Sequence, residues 1–174
     1  FGVRGIPCLI MLGPVSNEET MERPLINKNI RSFIESGDFS EFPFEEKNYG
    51  DVNNADDLNE VKSLVVFHEG GDDDEQDEIK SILKEVGDQM KMKMKGSKDG
   101  GDKCNFLWAL STDGLAPRIR SLLSMSKIPG EEPTMVILDL PDEGGYYKNE
   151  TQTSITADSI MEFIQSPGER MQLK

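Results

Sequence analysis

The sequence predicts an α/β fold, a central mixed sheet with helices on both faces, preceded by the C-terminal β-β-α part of a second such unit. Three observations predict it. Apolar runs of strand length alternate with stretches whose apolar residues recur every three or four positions, the order expected of βαβ crossovers. The charge distribution breaks near Glu41-Phe42-Pro43-Phe44: residues 1–40 hold four basic and five acidic residues, leaving 15 basic and 28 acidic residues in 41–174. Finally, the stretch from Ile6-Pro7 to Gly13-Pro14 is echoed, one small domain later, by Glu132-Pro133 to Leu140-Pro141. The division expected from these signals is a partial unit over residues 1–40 and a complete domain over 41–174.

Each element follows from its residues. Ile6-Pro7-Cys8-Leu9-Ile10-Met11-Leu12 is a continuous apolar run, as suits a strand buried on both faces, and Gly13-Pro14 ends it. Leu25-Ile26 supplies a partner strand, and Asn27 or Asn29 can cap a helix whose apolar face is Ile30, Phe33 and Ile34, with Gly37 placed to stop it. Two strands and one helix cannot cover both faces of a sheet, so this unit is too little to fold alone. In the second unit a short helix is expected near Ala55–Asn59, then a buried strand at Leu64-Val65-Val66-Phe67. A polar stretch from His68 to Glu78 leads into a helical stripe of Ile79, Ile82, Leu83, Val86, Met90 and Met94. After a Gly-rich loop (Gly96 to Gly101) comes a strand over Asn105–Leu110, with Trp108 read as core. A helix marked by Ile119, Leu122 and Leu123 follows, with Pro117 tolerable in its first turn. Thr134–Leu140 is a third buried strand and Tyr146-Tyr147-Lys148 a fourth. Thr156 caps a last helix built on Ile160, Phe163 and Ile164, with Ile155 and Ile160 as a hydrophobic staple.

Composition excludes several function classes. The chain of 174 residues carries a formal net charge of −14, which repels phosphate backbones and anionic headgroups; neither a nucleic-acid nor a membrane-surface partner is expected. No apolar run approaches the roughly 20 residues of a membrane span. Two cysteines far apart make no disulfide framework and point to a reducing compartment. The chain opens on Phe1 rather than Met and shows no secretory signal, so it is expected to be a piece of a longer protein.

The run Phe1-Gly2-Val3-Arg4-Gly5-Ile6-Pro7 before an apolar strand resembles the thioredoxin superfamily, in which the proline ahead of that strand is cis and faces the catalytic disulfide. Within the superfamily the chain is most similar to the nucleoredoxin family, through Gly5-Ile6-Pro7, the Glu41–Phe44 junction, Leu64–Phe67 with an acidic loop behind it, and Thr134–Leu140 with an acidic turn. The resemblance implies a thioredoxin-like fold and a C-terminal region. It implies Ile6, Pro7 and Cys8 as a client-binding cis-Pro loop and Pro133 as a second cis-Pro candidate. It further implies protein partners of the Dishevelled type in Wnt signalling, residence in cytosol and nucleus, and a whole-protein activity as a thiol-disulfide oxidoreductase.

One departure bears on the chemistry. A thioredoxin site needs two cysteines separated by two residues at the start of the helix after the first central strand, where the helix end lowers the attacking thiol's pKa and the second thiol resolves the mixed disulfide. That position is His68 to Glu78, without a cysteine, and the chain has no Cys-x-x-Cys. No residue is therefore expected to be catalytic, and no cofactor or metal is expected. Cys8 reads as a small core hydrophobe, and Cys104, near the flexible loop, as a partly exposed thiol with only Lys103 as a basic neighbour and no reactive role expected. Asp72, Asp74 and Gln76 match part of a calcium loop, but Asp77 stands where its glycine belongs and Leu83 where its last glutamate belongs, so the acidic run reads as a solvated helix cap. His68, the single histidine, lacks partners in sequence. Met90–Lys95 imitates a basic amphipathic target, although Met90 and Met94 already belong to the core stripe. Asn149-Glu150-Thr151 is a glycosylation sequon, without meaning in the cytosol. The alternatives are a non-catalytic acidic binding protein and a lumenal protein-disulfide-isomerase-like or calcium-storing domain, for which the C-terminus Met171–Lys174 lacks a retention signal.

Overall fold

The computed structural model describes residues 8–37, 39–55, 57–96, 103–126, 128–149 and 154–173. The chain divides into two compact units, Phe1–Lys47 and Asn48–Lys174. Among the described residues of the first unit, β1 (Met11–Leu12) pairs antiparallel with β2 (Leu25–Asn27) and α1 (Arg31–Ser36) follows. The expected strand from Ile6 is thus seen only at its end, since residues 1–7 lie outside the described set. Asn27 and Asn29 act in series at the helix entry. Asn27 Oδ1 accepts the Asn29 amide (2.8 Å), and Asn29 Oδ1 accepts the Arg31 amide (3.2 Å). Gly37, at φ 69°, closes α1 in the left-handed conformation that a side chain would strain.

The boundary falls seven residues later than the charge break. Phe44 is buried, stacks on Phe33 at 4.9 Å, meets Phe42 edge-on at 5.7 Å and lies 6.2 Å from Phe39. Its carbonyl accepts Asn27 Nδ2 (2.7 Å), and the Glu46 amide donates to the Ile26 carbonyl. The aromatic segment expected to open the second unit therefore closes the first, because its apolar rings find their partners there. The single cis peptide among the described residues is Phe42–Pro43.

The second unit is one six-stranded sheet: β3 (Tyr49–Asp51), β5 (Cys104–Ala109), β4 (Lys62–Phe67), β6 (Thr134–Asp139), β7 (Gly145–Lys148) and β8 (Met171–Gln172), in that spatial order. β3, β5 and β4 run parallel, and β6, β7 and β8 add on antiparallel. α2 (Asp73–Gly96) and α4 (Ala157–Gln165) cover one face, α3 (Ala116–Leu122) the other. The period-two geometry of β4 splits its side chains between two cores. Leu64 and Val66 join Leu83, Val86, Phe106, Ile137 and Ile160, while Val65 and Phe67 join Val52, Leu107, Ile119, Val136 and Leu138. This explains why β4 reads as an unbroken apolar run.

Several local expectations are corrected. The helix expected near Ala55–Asn59 is a 3₁₀ turn at Val52–Asn54, capped by Asp51, followed by a hydrogen-bonded turn at Asp57–Glu60. Strands β3 and β8 escaped the sequence reading because edge strands of two or three mostly polar residues carry no hydrophobic period. Trp108 is half-buried rather than core, with Lys84 Nζ 5.9 Å from its ring. Thr156 does cap α4, through a reciprocal box with Ser159. On α2, Ile79, Leu83 and Val86 are buried and Ile82 and Met90 half-buried, while Met92 is exposed; the Met94 side chain lies outside the described set.

Gly87 marks where α2 crosses β3. A Cβ there would come within 2.7 Å of Tyr49 Cδ1 and 3.0 Å of Asn48 Oδ1. Gly87→Ala gains about 1 kcal/mol of helix propensity but overpacks this crossing, at about 1–3 kcal/mol. The expected outcome is a net loss, read as a lower urea midpoint at unchanged slope. A raised midpoint would show that the Tyr49 ring yields without cost.

Candidate functional site

The three parallel strands point their carboxyl ends to one edge of the sheet, the place where α/β folds put their chemistry. There β4 passes into His68-Glu69-Gly70-Gly71-Asp72 and then α2. Asp72 and Glu75 cap the helix reciprocally. Asp72 Oδ1 accepts the Glu75 amide (2.9 Å), and Glu75 Oε2 accepts the Asp72 amide (3.1 Å). With Asp73 and Asp74 in the same turn, the carboxylates offset the positive end of a 24-residue helix. Gln76 Nε2 faces the carbonyls of His68, Gly71 and Leu110 at 3.2–3.3 Å and ties this loop to the end of β5.

His68 is buried, its amide bonded to the Ala109 carbonyl and its Nε2 3.1 Å from Glu75 Oε2. Nδ1 is buried without a partner. A carboxylate oxygen accepts only a donor, so the neutral ring carries its proton on Nε2. Gly71 is required here, since a Cβ would strike the imidazole.

Glu69 is held still more firmly. Its side chain is 1% exposed and that of Arg120, on α3, is 7% exposed. The two form a bidentate pair, Nε to Oε1 and Nη2 to Oε2, both 2.6 Å. The guanidinium also lies 5.1 Å from the Phe67 ring, and Nη1 donates to the Ser126 carbonyl (3.4 Å). A Cβ on the next residue, Gly70, would come within 2.7 Å of the Gly130 carbonyl oxygen. The loop after β4 and the loop before β6 therefore touch backbone to backbone.

The predicted site residues fare unequally. Ile6 and Pro7 lie outside the described residues. Cys8 is half-buried, with its thiol directed at the Lys28 carbonyl (3.2 Å). Pro133, expected as a second cis candidate, follows a bond that is not cis. The residue leads straight into β6, where Thr134 pairs with Phe67, and a proline without an amide proton suits a strand entrance in the trans form. Cys104 opens β5 inside the core, where burial pushes its thiol up to about 11. Both cysteines are free. Among the described residues no group of three or more His, Cys, Asp or Glu side chains could hold a metal ion. No helix among them is long and apolar enough to cross a membrane. The Glu150 and Thr151 of the sequon lie outside the described residues.

The position that a dithiol motif would occupy thus holds Asp72-x-x-Glu75, with the same spacing and at the same helix end. Comparison with known proteins agrees with the family reading. Human nucleoredoxin is 26% identical over 148 residues, which are 84% of this chain and 32% of the human protein. The mouse protein gives the same identity and coverage. The chain is similar to nucleoredoxin. It spans about a third of the length of these relatives, and no family model matches it. With the strand order β3-β5-β4-β6-β7, the fold of the second unit is thioredoxin-like.

The Glu69–Arg120 pair carried no local signal, because its members are 51 residues apart. The acidic run was legible as a helix cap, while the reciprocal bonding of Asp72 and Glu75 shows only in the folded chain. Glu69→Ala leaves a buried guanidinium without its partner and is expected to cost about 3–5 kcal/mol, whereas Glu69→Leu with Arg120→Met together should recover most of that. Denaturant unfolding of the three proteins checks it; equal losses in the single and double variants would count against the pair. Near neutral pH an alkylating reagent should modify Cys8 and spare Cys104, since burial keeps the Cys104 thiol protonated up to about 11. Peptide mass mapping reads the outcome.

Proposed function

We propose that this chain is the C-terminal region of a nucleoredoxin-like protein-disulfide oxidoreductase, redox-inactive in itself. In this reading Ile6 and Pro7 contribute the cis-Pro wall of an upstream dithiol site, with Cys8 beside them. The second unit serves as a protein-binding module for Dishevelled-type partners in redox-dependent Wnt regulation, in cytosol and nucleus. The single observation that supports it best is the Asp72–Glu75 capping box. A thiol at a helix start becomes a nucleophile because the free amides stabilise its thiolate. Here the Asp72 and Glu75 amides bond to carboxylates, which can neither attack a disulfide nor resolve one. The similarity to human and mouse nucleoredoxin over 84% of the chain supports the family. The shut Gly70–Gly130 approach supports a second unit that does not receive client disulfides at this edge.

The test is insulin-disulfide turnover with dithiothreitol as reductant. The chain should add nothing to the uncatalysed rate, and measurable turnover would end the redox-inactive reading. In the whole protein, Pro7→Ala should lower turnover about tenfold or more, as loss of substrate positioning does. The same substitution should leave unfolding of the second unit unchanged.

A further inference from the structure

The C-terminal end of the second unit is a latched strap preceded by a Ser-Pro step. α4 ends at Ser166, whose amide donates to the Glu162 carbonyl (2.9 Å) and whose side chain is exposed. Pro167 follows, the only proline in the chain preceded by serine or threonine. Gly168, at φ 80°, then turns the backbone, and Arg170–Leu173 returns as a strap along the edge of β7. Arg170 latches it. Nε donates to Asp142 Oδ2 (2.8 Å) and Nη2 to the Asp142 carbonyl (2.7 Å). The guanidinium rests on Gly145, where a Cβ would approach Nε and Nη2 to 2.9 Å, so the missing side chain makes room for it. Gln172 Nε2 bonds the Glu143 carbonyl (2.9 Å) and the Leu173 amide the Gly144 carbonyl (3.0 Å). The pair is open to solvent, Arg170 at 35% and Asp142 at 57% exposure.

We propose that Ser166 is a phosphorylation site for a proline-directed protein kinase, and that its phosphate draws Arg170 away from Asp142 and releases the strap. In the transfer, Ser166 Oγ forms a bond to the γ-phosphorus of ATP and the bond from that phosphorus to the β–γ bridging oxygen breaks. ADP leaves, and the hydroxyl proton passes to the kinase's base. The product is a near-dianion at the negative end of α4, between Glu162 and Glu169 in sequence, where helix dipole and like charges both disfavour it. Four residues on stands Arg170, whose planar fork binds phosphate in a bidentate fashion more strongly than the one carboxylate oxygen it now holds. Nε and Nη2 cannot serve both anions. The kinase reaches Ser166 by fraying the last turn of α4, and helix ends open at low free energy. Release leaves Gly145 and Tyr146 on the β7 edge without their neighbour and able to accept another strand.

The experiment incubates the full chain with a cyclin-dependent-type kinase and MgATP and follows it by phosphopeptide mapping and amide hydrogen exchange. One phosphate is expected on Ser166 and none on the Ser166→Ala protein. In the phosphorylated chain the Leu173 amide should exchange about fivefold faster, the scale of losing one exposed ion pair, with β4 amides unchanged. Arg170→Gln should produce the same acceleration without phosphate. Phosphate found only elsewhere, phospho-Ser166 with unaltered exchange at Leu173, or an Arg170→Gln chain whose strap exchanges at the wild-type rate would each overturn the proposal.

Discussion

Strand β4 is buried on both faces, and the rest of the second unit is arranged around that. Its side chains point alternately into two cores, so neither can loosen without opening a cavity against the sheet, at about 2–5 kcal/mol for each large side chain removed. Its backbone is paired on both edges, parallel to β5 and antiparallel to β6. Antiparallel pairing places the end of β4 beside the start of β6, with Phe67 opposite Thr134. The loop leaving β4 and the loop entering β6 are therefore brought together by topology alone. What happens between them depends on which residues they carry. One glycine, Gly70, lets its backbone approach the Gly130 carbonyl until no side chain could fit at position 70.

At that junction the fold offers one electrostatic resource, the unpaired amides at the start of α2. A thiol needs their help to ionise near neutral pH; a carboxylate does not. Asp72 and Glu75 use the amides to stop the helix neatly, and Glu75 carries the same oxygen onward to His68. Next to them Glu69 and Arg120 neutralise each other in the interior. Such a pair contributes little net stability compared with an apolar replacement, yet it is costly to break from one side. It ties the loop after β4 to α3.

Much of this was legible from sequence, and the omissions have physical causes. The central strands declared themselves because they are buried on both faces and thus continuously apolar: Leu64–Phe67 and Thr134–Leu140 lie within a residue or two of β4 and β6. The helices declared themselves by period and caps, Thr156 and Gly37 among them. Edge strands did not, because Tyr49-Gly50-Asp51 and Met171-Gln172 are held by backbone pairing to one neighbour and need no apolar pattern. The unit boundary does not follow the charge break, because aromatic packing on Phe44 decides it. At the candidate site, the absence of thiols was visible in the letters. The bidentate pair beside it was not, since only the folded chain brings residues 69 and 120 together.

The acidic run shows how geometry separates two readings that composition leaves equal. Six carboxylates in seven residues could gather a cation or could cap a helix. A cation site needs several oxygens converging on one point. Here the run is wound onto a helix start, which points successive side chains about 100° apart. Asp72 turns inward to an amide and Glu75 to an amide and an imidazole. Asp77 takes the Lys80 ammonium, which holds its carboxyl below the usual range by hydrogen bond and charge. Each of these three is drawn to a different partner along the helix. Dispersal of that kind lowers the free energy of the helix end, and it removes the convergence on which cation binding would depend.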